Sequence, residues 1–151
     1  MRAVLLSLHV VAGILFVGPV AVAASLFPRY APLIDVPPGV DRDQRSSGIA
    51  DVLHRITRIY GGLALAVPVV GIALAVVQGR TTEIWILVAM ALTAIAGGLI
   101  ALQIAPRQRQ ALECPDDGTQ LRHLGMLTGV FNLLWVAVVV LMIARPGSSY
   151  A

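Results

Sequence analysis

Residues 2–25 read RAVLLSLHVVAGILFVGPVAVAAS, and the fold turns on how this stretch is understood. A basic residue, an apolar run, the Gly18-Pro19 break and the small triplet Ala21-Val22-Ala23 have the order of a secretory signal peptide. A first transmembrane helix has nearly the same order. Length separates the two. The apolar run from Ala3 to Phe27 covers about 25 residues, whereas a signal core takes roughly 7 to 15 and a bilayer span about 20. The stretch is therefore expected to be a helix that stays in the protein, and His9 stays with it.

The rest of the chain has the same character. Of its 151 residues 58% are hydrophobic and 13% charged, with a mean hydropathy of +0.85. Soluble proteins carry about 25% charged residues, so the composition is that of an integral membrane protein. Further runs without Asp, Glu or Arg predict an all-α, four-helix transmembrane bundle in one domain, with helices over 3–27, 53–77, 84–105 and 122–144. Pro19 and Pro68 fall inside the first two and are expected to kink them. The connection 28–51 carries four prolines and predicts an irregular segment of polyproline character. Residues 78–83 are short enough to make helices two and three an antiparallel hairpin, and 106–120 reads as a polar loop.

The basic residues set the expected topology. All eleven are Arg, a bias that a GC-rich bacterial genome imposes. Eight of them, Arg29, Arg42, Arg45, Arg55, Arg58, Arg107, Arg109 and Arg122, flank the first and third connections, against Arg2, Arg80 and Arg145 on the other side. The excess predicts connections 28–51 and 106–120 in the cytoplasm and both termini outside, in a bacterial plasma membrane. The net charge of +3 thus lies at helix ends, where it meets lipid headgroups and not nucleic acid. Arg55, Arg58, Arg107, Arg109 and Arg122 form a belt suited to anionic lipid.

Few residues offer chemistry. The eight acids, Asp35, Asp41, Asp43, Asp51, Glu83, Glu113, Asp116 and Asp117, all lie outside the predicted spans, which argues against ion translocation by this chain alone. Cys114 is the single cysteine, so no intrachain disulfide forms. No nucleophile with a paired base and no metal-spaced cluster stands out, and the chain is not expected to be an enzyme. His9 is the one ionisable group well inside a span, a candidate for haem, copper or quinone contact or for a backbone hydrogen bond. His54 and His123 share a depth and are the only pair placed for a bis-histidine haem. A short echo links LHRITRIYGG from Leu53 to LRHLGMLTGV from Leu121.

Packing motifs are plainer. Gly125 and Gly129 make a G-x-x-x-G in the fourth helix, and Ala94 and Gly98 place small residues at the same spacing in the third. Such faces let helices approach closely, and they serve either this bundle or a partner. Asn132, with Trp135 beyond it, is expected to face protein, since an unpaired amide is costly in hydrocarbon.

His9, Phe16 and Gly18, within HVVAGILFVG, resemble the first helix of small bacterial membrane proteins related to the copper-resistance D family. That resemblance implies a metal or haem role for His9. In size, helix number and Arg-only basic usage the chain is also similar to accessory subunits of actinobacterial respiratory supercomplexes, including respiratory supercomplex association factors. This implies a non-catalytic accessory or assembly subunit beside a cytochrome bc complex or cytochrome c oxidase. The alternative is a small membrane protein that binds haem, copper or quinone through His9 or through His54 and His123.

Overall fold

A computed structural model describes residues 1–34 and 45–147. The described residues contain four long helical rods and no strand: α1 over Arg2–Tyr30, α2 over Ser47–Gln78, α3 over Ile84–Glu113 and α4 over Thr119–Ala144. Each is long and apolar enough to cross a membrane, which makes this a multi-pass membrane protein. Of the connection 28–51, expected to be irregular with polyproline character, residues 28–30 instead end α1 and 47–51 begin α2, while 35–44, with Pro37, Pro38, Asp35, Asp41, Arg42 and Asp43, lie outside the described residues.

Two boundaries differ from expectation for one reason. Helix α2 begins at Ser47 and α3 continues to Glu113, so most of the predicted loop 106–120 is helical. An apolar run ends where charge begins, but a helix does not have to. Ser46 caps α2 by accepting from the Ile49 N–H, and the Arg109–Glu113 pair at 2.7 Å supports the last turn of α3. The true connection, 114–118, is closed by two aspartates. Asp116 accepts from the N–H groups of Gly118 and Gln120, and Asp117 accepts from the N–H and hydroxyl of Thr119. The bonds from Thr119 hold the Asp117 carboxyl below the usual carboxylate range.

Prolines shape the rods. A proline at position i cannot donate to the carbonyl at i−4, and its ring crowds that carbonyl. Leu15, four residues before Pro19, lies in a π turn over Gly13–Val17. Leu102, four before Pro106, lies in a second π turn over Ile100–Ile104. Ala64, four before Pro68, sits in the break of α2 between Leu63 and Ala66, where its carbonyl takes the Val67 N–H instead. Pro28 frees the carbonyl of Ala24, which accepts from the buried Thr128 hydroxyl of α4 at 3.5 Å. That exchange is how a membrane bundle tolerates proline.

The helices meet unevenly. At the end where Arg29, Arg45, Arg55, Arg58, Arg107, Arg109 and Arg122 collect, here termed the basic end, Gly18–Tyr30 of α1 packs on both Ser47–Leu63 of α2 and α4. Ala105–Glu113 of α3 completes this end against α2 and α4. Phe27, Ala31 and Ala50 are fully buried there. Small residues bring the backbones together, and Phe27 fills the space they leave. The Ile34 N–H donates to the Asp116 carbonyl, and the Arg45 guanidinium donates to the carbonyl of Ala31 at 2.6 Å, closing the end of α1. Toward the opposite end the bundle divides into two pairs, Arg2–Ala12 with Ala66–Gln78 and Ile84–Leu99 with α4. A small cluster of Ala75, Trp85, Ile86 and Met142 ties the pairs at the tip. There the Trp85 indole donates to Glu83 and the Arg145 guanidinium lies 5.9 Å from the ring centre.

Asn132 is used inside the chain. Its amide donates to the Ser25 hydroxyl at 3.2 Å, joining α4 to α1. Asn132→Leu should lower the unfolding free energy in detergent by about 0.6 kcal/mol, the average for an interhelical hydrogen bond. An equilibrium unfolding curve reads this directly, and a loss above about 1.7 kcal/mol would mean the amide carries more than this one bond.

Candidate functional site: a lateral cleft between two helices

Helices α2 and α3 touch at the turn that joins them and again at the basic end. Between those contacts they part and leave a cleft of about 790 Å³. Small residues form much of its walls: Gly61, Gly62 and Ala64 from α2, and Ala94, Gly97, Gly98 and Ala101 from α3. Val17 and Val20 of α1 and the rings of Phe131 and Trp135 of α4 form the back. The two rings meet edge to face at 6.3 Å.

All three proline-linked irregularities border this cleft. Val17 belongs to the π turn of α1, Ala64 and Leu65 to the break of α2, and Ile100, Ala101 and Leu102 to the π turn of α3. Each of these three rods thus carries a π turn or a break at the cleft, and the small side chains there leave the space between α2 and α3 unfilled. Single π turns inside α-helices are often found at functional sites.

The lining is almost wholly apolar because its hydroxyls are turned inward. Thr93 donates to the Ala89 carbonyl at 2.8 Å and Thr57 to the Leu53 carbonyl at 3.0 Å. Thr57 also accepts from the Gln108 amide at 3.4 Å, and the Gln108 carbonyl oxygen lies 3.2 Å from Nδ1 of His54. Gln108 and Thr57 are 0% exposed and His54 is 7% exposed, so the three form a closed polar network beneath the cleft. Arg58 stands at the basic end of the lining with its side chain exposed. Asn132 Oδ1 and Trp135 Nε1 are buried without a hydrogen-bond partner among the described residues.

The expected site residues go to separate places. His9 is half-buried, with Nδ1 3.0 Å from the Val67 carbonyl and its ring stacked on Gly71, where an added Cβ would stand 2.9 Å from Cε1. It joins α1 to α2 by the backbone bond that was one of its expected roles. His54 belongs to the buried network, while His123 is exposed in a separate polar cleft of about 240 Å³ with Arg107 and Gln110. The two histidines thus have different surroundings, and the sequence echo extends to buried Leu53 and Leu121 but not to them. Among the described residues no three His, Cys, Asp or Glu side chains are grouped to hold a metal.

The small-residue motifs also separate. Ala94 and Gly98 line the cleft and leave it open. Gly125 and Gly129 lie on the outer face of α4, with nothing within 4 Å of the place a Cβ would take. Within the belt, Arg55 pairs with Asp51, Arg109 with Glu113, and Arg122 donates to Thr119. Gln108 was hidden from sequence reasoning because it lies in a polar stretch, where a glutamine ordinarily faces water. Comparison with protein-family models, with curated proteins and with solved structures finds no match for this chain.

Proposed function

We propose that this protein is a non-catalytic subunit that docks laterally on a larger membrane complex through the outer face of α4. One observation carries the reading. Among the described residues nothing outside the helix lies within 4 Å of where a Cβ at Gly125 or Gly129 would stand, so the close-approach face is not consumed by the packing of those residues. Lipid tails do not need such a face, because they fit Leu as well as Gly; a second helix gains dispersion contacts from it. The cytochrome complexes suggested by the likeness to supercomplex accessory subunits are the partner class to test first. The eight-to-three division of arginines supports a bacterial plasma membrane with both termini outside.

The alternative of haem, copper or quinone on the histidines has less support. His54 is engaged with Gln108, His123 lies in another cleft, and His9 is 3.0 Å from a backbone carbonyl.

The test is to extract tagged protein from native membranes in mild detergent and identify what co-purifies, in wild type and in Gly125→Leu. Partner recovery should fall on the order of tenfold, equivalent to about 1.4 kcal/mol of close packing. Thermal stability of the isolated chain should not fall, since among the described residues a side chain at Gly125 meets open space. Unchanged recovery, or a wild-type protein that emerges alone, would overturn the docking reading. A variant that changes the mass of a homo-oligomer would replace the partner with a second copy.

A further inference from the structure

We infer that the cleft between α2 and α3 is a binding site for one anionic phospholipid, its phosphate on Arg58 and one acyl chain lying between the two helices. The inference does not depend on the docking face of α4, which lies elsewhere on the molecule.

Charge complementarity identifies the head. Arg58 borders the cleft at its basic end and is exposed, and among the described residues it has neither ion pair nor hydrogen bond. Within the belt Arg55, Arg109 and Arg122 each have a protein partner, and Arg107, which like Arg58 has none among the described residues, lines the separate polar cleft with His123 and not this apolar one. A guanidinium near the headgroup level, held beside an apolar opening, offers its donor fork to a phosphate.

Length and lining identify the tail. From Arg58 to Ile72 the lining follows α2 for about 21 Å at 1.5 Å per residue. One leaflet of a hydrocarbon core is about 15 Å deep, so a chain anchored at Arg58 fits within the cleft. With Thr57 and Thr93 bonded to their own backbones, the hydroxyls of the walls ask nothing polar of that chain. Gly97 has open space where a Cβ would stand, and a side chain there would project into room the tail needs.

The experiment reconstitutes purified protein in nanodiscs of equal phosphatidylglycerol and phosphatidylcholine, then counts retained lipid by native mass spectrometry. Wild type should hold one phosphatidylglycerol per chain in preference to phosphatidylcholine. Arg58→Gln should weaken that preference about fivefold, the factor for one basic residue beside an anionic head. Gly97→Leu should remove the bound lipid, and Arg109→Gln, elsewhere in the belt, should leave it unchanged. Circular dichroism confirms that each variant is folded, and Arg58→Gln breaks no hydrogen bond or ion pair among the described residues. Equal retention of both lipids, no retained lipid, or equal losses from Arg58→Gln and Arg109→Gln would overturn the site.

Discussion

Phe27→Ala should lower the unfolding free energy by about 2–3 kcal/mol, less than the 3–5 kcal/mol such a truncation costs in a water-soluble core. The difference comes from the solvent of the unfolded helix. In water, exposing Phe loses a transfer term as well as the contacts around the ring. In a bilayer or micelle the separated helix keeps its side chain in hydrocarbon, so only the cavity and the lost dispersion contacts remain. Phe27 is 0% exposed, and the buried cluster it belongs to includes Ala24, Ala31 and Ala50, whose side chains are too short to fill the gap. Stepwise unfolding in mixed detergent would measure the loss. A value near 5 kcal/mol would mean that the reference helix is hydrated, and one below about 1 kcal/mol that the basic end repacks.

Gln108→Leu should cost about 1–3 kcal/mol by a different route, because it leaves His54 and Thr57 buried without their shared partner. The network joins residues of α2 and α3 that lie 51 and 54 positions apart, and it does so directly beneath the cleft. Its three members act as a unit. Leucine at both His54 and Gln108 should therefore cost less than the sum of the two single changes, since removing donor and acceptor together strands neither. Strict additivity in a double-mutant cycle would show that the bond at 3.2 Å contributes no coupling of its own.

These two sites differ in how far the sequence revealed them. Phe27 closes an apolar run that any hydropathy argument finds, though not that it would be the best-buried large side chain there. Gln108 lay in a segment expected to be a loop, because Arg107 and Arg109 end the apolar pattern while the helix continues past Pro106. His9 was recognised as unusual, and its backbone bond was among its expected roles. The partner, Val67, lies 58 residues away, and no local spacing points to it.

The number of helices and the sidedness expected from arginine follow from the chain alone, because each depends on local hydropathy or on charge counted between spans; the full length of α2 and α3 does not, since both extend beyond their apolar runs. The irregularities near Pro19 and Pro68 follow too, since proline acts on a carbonyl four residues behind it, whereas the one near Pro106 fell where a loop was expected. That the irregularities near Pro19, Pro68 and Pro106 border one cleft depends on how three rods are rotated about their axes. Rotation also decided that Ala94 and Gly98 line a gap while Gly125 and Gly129 face outward, although both pairs have the same spacing. In hydrocarbon nearly every helix face is compatible with its surroundings, so hydrophobicity places the helices in the membrane and leaves their mutual orientation to close packing and a few buried polar bonds.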